Sequence, residues 1–257
     1  MQVSDKKETY ICWSGGKDST ATICLAHELG LKIDGVVMSE VMFEHKRNIS
    51  GENPEHITWV YDVAIPIIEN KFGYKVIILR DKSDYLQEFN KIRLNSCKPE
   101  RIGKKYGFFL SGKCRGNENL KMRPLRKFFK EHKGCIQIVG IALDEPHRAK
   151  KKTMHNKRSL LIENKITEAM CYDICKKYNL LSPIYRNSHR GGWFCPNAKT
   201  KELARLKKEY PHLWNELVLL SQDKNLIKYK FNFTQTIPEI EKEIDLINNQ
   251  MNLFDLL

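Results

Sequence analysis

Thr9-Tyr10-Ile11-Cys12-Trp13-Ser14-Gly15-Gly16-Lys17-Asp18-Ser19-Thr20 is the stretch whose reading decides the fold. Thr9 to Trp13 is an apolar run suited to a strand. From Asp18 the pattern turns helical and runs to Leu29. A strand that turns through paired glycines into a helix N-terminus is a ready anion site. The first-turn N–H groups there lack intrahelical partners, and the helix dipole favours negative charge. Gly15 and Gly16 let the backbone approach a phosphate. Lys17 adds a cation, and Ser14, Ser19 and Thr20 add hydroxyls. The loop is not a Walker A motif, because the four-residue spacing between a glycine and Gly-Lys is missing.

Outward from this loop, strand and helix patterns alternate. Lys32 to Met38 reads as a second strand, His56 to Phe72 as a second helix, and Tyr74 to Leu79 as a third strand. Ile136 to Ala142 is another apolar strand. The alternation predicts an α/β fold, a parallel sheet with helices on both faces. Ligands in such sheets bind beyond the carboxyl ends of the strands, where the glycine loop falls. Further on, Thr167 is a plausible N-cap for a helix to about Tyr178, and residues 198–224 read as helical. The expected division is a nucleotide-binding domain over residues 1–160 and a helical extension with a cysteine-containing loop over 161–257.

The chain has 257 residues, enough for one large domain or a domain with an appendage. No apolar run has the length of a membrane span. The N-terminus has no apolar h-region after its charges, so a cytoplasmic location is expected. The net charge of +13 points to a polyanionic partner, most simply nucleic acid. Solubility charge is the alternative reading. Residues 98–133 hold twelve Lys or Arg against three Glu, a balance suited to tracking a phosphate backbone. Aromatics are interleaved there. Phe128 and Phe129 lie on a helical pattern with Leu125 and read as core. Tyr106 to Phe109, among glycines, reads as an exposed loop for base stacking. Arg148 to Arg158 carries six basic residues and no acid, either a solvated face or a phosphate contact.

Ser14-Gly15-Gly16-Lys17-Asp18-Ser19 resembles the signature of the PP-loop ATP pyrophosphatases, a family that includes tRNA thiolases and, as a variant, the sulfonucleotide (PAPS) reductases. Gly140-Ile141-Ala142-Leu143-Asp144-Glu145-Pro146-His147-Arg148 is similar to an element of the reductase-like PP-loop proteins. Leu161 to Tyr185 resembles the helix that follows it. Gly192-Trp193-Phe194-Cys195-Pro196 looks like the C-W-F-C-P element of a subgroup found in bacteria and their phages, with Gly192 standing where that pattern has a cysteine. The resemblance implies an adenine nucleotide alpha hydrolase-like fold. It implies ATP and Mg²⁺ at Ser14 to Thr20, attack on the α-phosphate, and an adenylated intermediate. Lys17, Asp18 and Asp144 are the catalytic candidates, and Arg148 is a candidate phosphate ligand. The C-terminal E-C-G-I/L-H motif of authentic sulfonucleotide reductases is absent, so sulfur transfer to a nucleic acid, tRNA or DNA, is the preferred expectation. A reductase-like enzyme and a nucleotide-gated nucleic-acid-binding module without turnover are the alternatives.

Eight cysteines in such a chain argue for thiol or metal chemistry rather than disulfides. Cys114 lies in a basic loop, Cys171 and Cys175 one helical turn apart, and Cys195 after a glycine turn. Three thiolates such as Cys114, Cys175 and Cys195 suit a [4Fe-4S] cluster with one open iron, as in some members of the family. A closed set of four suits Zn²⁺. For each cysteine alone, a buried free thiol is the competing reading. Finally, Gln250, Leu253 and Phe254 resemble the Q-x-x-L-F peptide that docks on sliding clamps, while an amphipathic helix end packing on its own domain is the favoured reading.

Overall fold

A computed structural model describes residues 7–109, 114, 116–149, 157–187 and 191–254, without the side chains of 187 and 248–254. In chain order the elements are β1 (Thr9–Trp13), α1 (Lys17–Glu28), β2 (Gly35–Glu40), β3 (Met42–Glu44), β4 (Ile49–Ser50) and α2 (Pro54–Trp59). Wider π-type turns at Val60–Ala64 and Ile67–Lys71 prolong α2. Then come β5 (Val76–Arg80), α3 (Tyr85–Asn90), β6 (Lys105–Gly107), α4 (Arg123–Glu131), β7 (Ile136–Val139), α5 (Pro146–Ala149) and β8 (Lys157–Arg158). The chain continues through α6 (Leu160–Glu163), α7 (Glu168–Lys177), α8 (Ile184–Asn187), α9 (Thr200–Glu209), α10 (Pro211–Ser221), β9 (Leu226–Lys228) and α11 (Ile237–Phe254).

These elements form two compact units. The first comprises Met1–Glu40, Pro54–Arg80 and Met122–Arg190; the second comprises Val41–Asn53, Asp81–Lys121 and Gly191–Leu257. The expected boundary at residue 160 is not where the chain divides. Residues 160–187 stay with the first unit because Leu160, Leu161, Cys171, Cys175 and Leu180 complete its core.

The first unit holds a five-stranded sheet in the order β5-β2-β1-β7-β8, with every pairing parallel. Side chains alternate between its faces, as strand geometry requires. Ile11, Trp13, Val36, Met38 and Ile138 enter one core with α1, α2 and α7. Tyr10 and Val37 enter another with Phe128 of α4. The expected parallel sheet with helices on both faces is thus present. β2 is buried along its whole length, as a central parallel strand should be. α1 is buried nearly all round, because it lies between the sheet and α7. Short β8, which the sequence did not suggest, extends the sheet beside β7.

The second unit has an aromatic core of Phe43, Tyr85, Phe89, Phe108, Phe109, Trp193, Phe194 and Phe231 with aliphatic residues of α9, α10 and α11. Phe108 and Phe109 are almost completely buried, at 1% and 2% exposure, so they are not the stacking loop expected. Tyr106 is instead held on β6, which pairs with β9, and its ring lies under the Arg93 guanidinium at 5.5 Å. The helix expected over 198–224 is two helices, broken at Tyr210 before Pro211 because proline starts helices and does not continue them. α11 has a helical backbone through Phe254, the helix end expected rather than an extended clamp peptide. The side chains of Gln250, Leu253 and Phe254 lie outside the described residues.

Gly192 lies so close to the Gly51 carbonyl that a Cβ there overlaps it. Next to it, Trp193 N–H donates to Gly51 O at 3.2 Å and Trp193 Nε1 to Ser50 O at 2.8 Å. A cysteine at 192 has no room, which accounts for the departure from the C-W-F-C-P pattern. Gly192→Cys is expected to lower stability by about 1–3 kcal/mol, the usual cost of overpacking, in urea unfolding. An unchanged midpoint contradicts this packing.

Candidate functional site

The order of the sheet reverses at β1, whose neighbours are β2 on one side and β7 on the other. A crevice opens at the carboxyl ends where such an order reverses. Ser14 to Lys17 lies at that edge, between β1 and α1. Gly15 has φ of +70°, a left-handed conformation that costs other residues energy, and Gly16 is the extended N-cap of α1. The His56 ring fills the space beside Gly15. It bonds Ser182 Oγ through Nδ1 at 2.8 Å and stacks on Trp59. On the β7 side, a Cβ at Gly140 would stand 2.5 Å from Ser19 N and 2.6 Å from Ser19 Cα. The absence of that atom lets the first turn of α1 come against the end of β7.

Hydroxyls hold the loop. Ser14 N–H donates to Ser19 Oγ at 3.2 Å, Gly16 N–H to Ser14 Oγ at 3.3 Å, and Ser19 Oγ to Gly16 O at 3.0 Å. Trp13 Nε1 donates to Thr20 Oγ1 at 2.9 Å. Lys17 N–H donates to Tyr185 Oη at 2.6 Å. The predicted cluster Ser14 to Thr20 is therefore brought together, with Ser19 and Thr20 acting as internal braces.

Lys17 is 3% exposed, and its ammonium lies 2.6 Å from Asp18 Oδ1 and 2.7 Å from Glu168 Oε2. The Tyr172 ring lies beneath it at 5.7 Å. Burial pulls the Lys17 pKa down, but hydrogen bonds and charge from Asp18 and Glu168 outweigh it and hold the pKa above its ordinary value. Two carboxylates on one ammonium leave a local excess of negative charge. A phosphate entering here is attracted by the helix N-terminus but needs a divalent cation to offset Asp18 and Glu168. Carboxylates beside phosphates are the donors Mg²⁺ prefers, so this set fits that ion. Beside the loop is a cleft of about 600 Å³ lined by Tyr172, Lys176, Ser182, Tyr185 and Arg186, a size suited to a small ligand.

The other candidates lie elsewhere. Asp144 accepts the Glu168 N–H through Oδ1 at 3.0 Å, and so holds the start of α7. Arg148 is exposed, and its Nη1 donates to both Glu145 oxygens at 2.8 and 2.6 Å. Cys175 is in the core, its Sγ donating to Lys17 O at 3.2 Å. Cys114 and Cys195 belong to the second unit, where burial pushes the Cys195 thiol up and Cys114 adds to the effect. The described residues contain no group of three His, Cys, Asp or Glu placed to hold a metal. Of the trio Cys114, Cys175 and Cys195, the buried thiol of Cys175, bonded to the Lys17 carbonyl, is a poor cluster ligand.

Glu168, Tyr185, His56 and Gly140 were not singled out as site residues from sequence. Glu168 carried a signal. It is the first residue after the Thr167 N-cap, whose Oγ1 accepts from Met170 N–H at 3.4 Å, and first-turn acids face helix ends.

No family profile matches the chain. It is 25% identical over 226 residues to the uncharacterized protein MJ0066 of Methanocaldococcus jannaschii, covering 82% of this chain and 41% of that protein. The chain thus spans about two fifths of that relative's length. Among solved structures, the U34-tRNA thiolase NcsA from Methanococcus maripaludis with its [4Fe-4S] cluster is similar at 14% identity and a TM-score of 0.40. That match covers 93% of this chain and 72% of the thiolase chain. Among the described residues no helix is long and apolar enough to cross a membrane.

Burial pushes the Cys24 and Cys171 thiols up to about 12 and Cys175 higher still; Asp18 adds to the shift at Cys171 and at Cys175. Unfolded thiols ionise near about 8.5. Because the folded values are raised, this stability is complete below that pH and is lost as pH rises toward the folded values. Lys17, also raised, acts with the same sign above about pH 10. The urea midpoint is expected to hold steady from about pH 6.5 to 8 and to fall from about pH 9 to 11. Exposed Cys97 should react with Ellman's reagent in the native state, and Cys171 and Cys175 only after unfolding. Rapid native modification of Cys171 contradicts the burial.

Proposed function

We propose that this protein is an ATP-cleaving enzyme of the PP-loop type that adenylates its substrate and then directs sulfur into a nucleic acid. One observation carries the nucleotide half: the loop from Ser14 to Lys17 sits at the reversal of a parallel sheet, with α1 pointing its N-terminus there. Backbone N–H groups and the dipole of α1 bind the β- and γ-phosphates. Asp18 and Glu168 would hold Mg²⁺, which supplies positive charge to the phosphate oxygens. Lys17, pre-positioned by those carboxylates, stabilises charge that grows on the leaving pyrophosphate. A substrate oxygen attacks the α-phosphorus and the bond to the bridging oxygen breaks. AMP is thereby joined to the substrate and pyrophosphate departs. Tyr185 orients the loop through the Lys17 N–H, and the cleft it lines has room for the group being activated.

The net charge of +13 supports a nucleic-acid acceptor. Sulfur transfer follows from the same chemistry, since displacement of AMP by a sulfur nucleophile completes the exchange of oxygen for sulfur. No step is assigned to a [4Fe-4S] cluster, because the described cysteines do not present three thiolates together.

Purified protein with Mg²⁺, ATP and transfer RNA is expected to release pyrophosphate. Lys17→Met should lower the rate by about 100-fold or more, the usual cost of removing a transition-state charge donor. Glu168→Gln should raise the Mg²⁺ concentration needed for half-maximal rate while leaving the fold intact by circular dichroism. No pyrophosphate release from the wild-type protein, or full activity in Lys17→Met, defeats the reading.

A further inference from the structure

At the opposite edge of the same sheet, where the strands begin, is a cleft of about 530 Å³. The register sets its walls: Thr9 pairs with Ile136 and Gln137 with Lys157, so the starts of β1, β7 and β8 lie side by side. Lys7, Lys133, Lys157, Arg158 and His132 line it. Two of these side chains already have partners. Arg158 bonds Glu163 at 2.7 and 3.1 Å, and His132 Nδ1 lies 2.8 Å from Glu8 and 3.0 Å from Tyr10 Oη. Lys7, Lys133 and Lys157 have no ion-pair partner among the described residues.

We propose that this cleft grips the phosphate backbone of a nucleic-acid strand, at a site separate from the glycine loop. Three unmatched ammonium groups around one concavity repel one another, and a polyanion relieves that repulsion while releasing its own counterions. The lysines come from three different segments: two residues before β1, the turn between α4 and β7, and β8. They are spread along an edge, which suits a chain of phosphates better than one small anion. A small-anion site instead gathers backbone N–H groups at one point, as the glycine loop does.

The placement has a consequence for reach. β1 is five residues long, and a strand rises about 3.3 Å per residue, so the cleft is roughly 16 Å from the loop. A partner held here and acted on there must span both edges, which a folded RNA does and a mononucleotide does not. Lys7, Lys133 and Lys157 are then positioning residues for a large acceptor.

The test is binding of a fluorescently labelled single-stranded RNA to the full chain, by anisotropy over a range of salt concentrations. The variant Lys7→Ala/Lys133→Ala/Lys157→Ala is compared with Lys201→Ala/Lys208→Ala/Lys224→Ala, which removes the same charge from exposed positions of the second unit. The cleft variant is expected to bind about tenfold or more weakly near 0.1 M salt. The slope of log affinity against log salt should fall by about 2, given about 0.7 per single-strand phosphate contact. The control variant should change affinity by less than about twofold. Equal losses from both variants, or no loss from the cleft variant, overturn the proposal. Should the cleft variant melt early, Lys133→Ala and Lys157→Ala singly replace it, each expected to lower the slope by about 0.7. The readout is binding rather than turnover, so it stands apart from the fate of the ATP reading.

Discussion

The ammonium of Lys17 lies almost out of water, and much of the first unit is arranged to keep it there. A buried charge costs several kcal/mol unless it is paired and hydrogen-bonded. Asp18 is supplied by the next residue, but Glu168 is 151 positions away in sequence and arrives only if α7 begins at the right height. Thr167 caps that helix and Asp144 holds its first N–H. Cys175, two turns further along the same face of α7, bonds the Lys17 carbonyl, and Tyr185 accepts the Lys17 N–H. The glycine loop is shaped from both sides, by its own hydroxyls and by a helix folded against it.

This constraint explains why α1 has little amphipathic character. A helix pressed between a sheet and another helix has no wet face to mark with charges. It also explains Gly140, whose missing side chain lets α1 lean against the end of β7. The two edges of the sheet then differ in chemistry. The carboxyl edge presents N–H groups, hydroxyls and a carboxylate pair around one cation, a setting for a phosphate with a metal. The amino edge presents lysines with no ion-pair partner among the described residues, a setting for a polyanion.

Much of the first unit was legible along the chain because its signals are local. The strands at β1, β2, β5 and β7 are short apolar runs, and Gly15-Gly16 marks the turn into α1. The second unit was less legible. Phe108 and Phe109 sit among glycines and lysines, which suggested an exposed loop. They are buried because Tyr85, Phe89, Phe194 and Phe231 close around them from distant segments. Gly192 stands where the resembling pattern has a cysteine, and the Gly51 carbonyl makes glycine a steric requirement there. The three cysteines chosen for a cluster share favourable sequence surroundings, yet one of them is needed in a core.

By itself the sequence determined the alternation of strand and helix, the anion-binding turn at Ser14 to Thr20, and the basic character of the whole. Those properties depend on neighbours within a few residues, through periodicity, glycine conformation and formal charge. Tertiary structure alone decided which charges meet. It gave Lys17 to Glu168 and Asp144 to the start of α7, put Cys175 into a core, and set Lys7, Lys133 and Lys157 around one cleft with no ion-pair partner among the described residues. A charge's chemistry depends on what stands within a few ångströms of it, and for Lys17 one of those neighbours, Glu168, comes from 151 positions away in sequence.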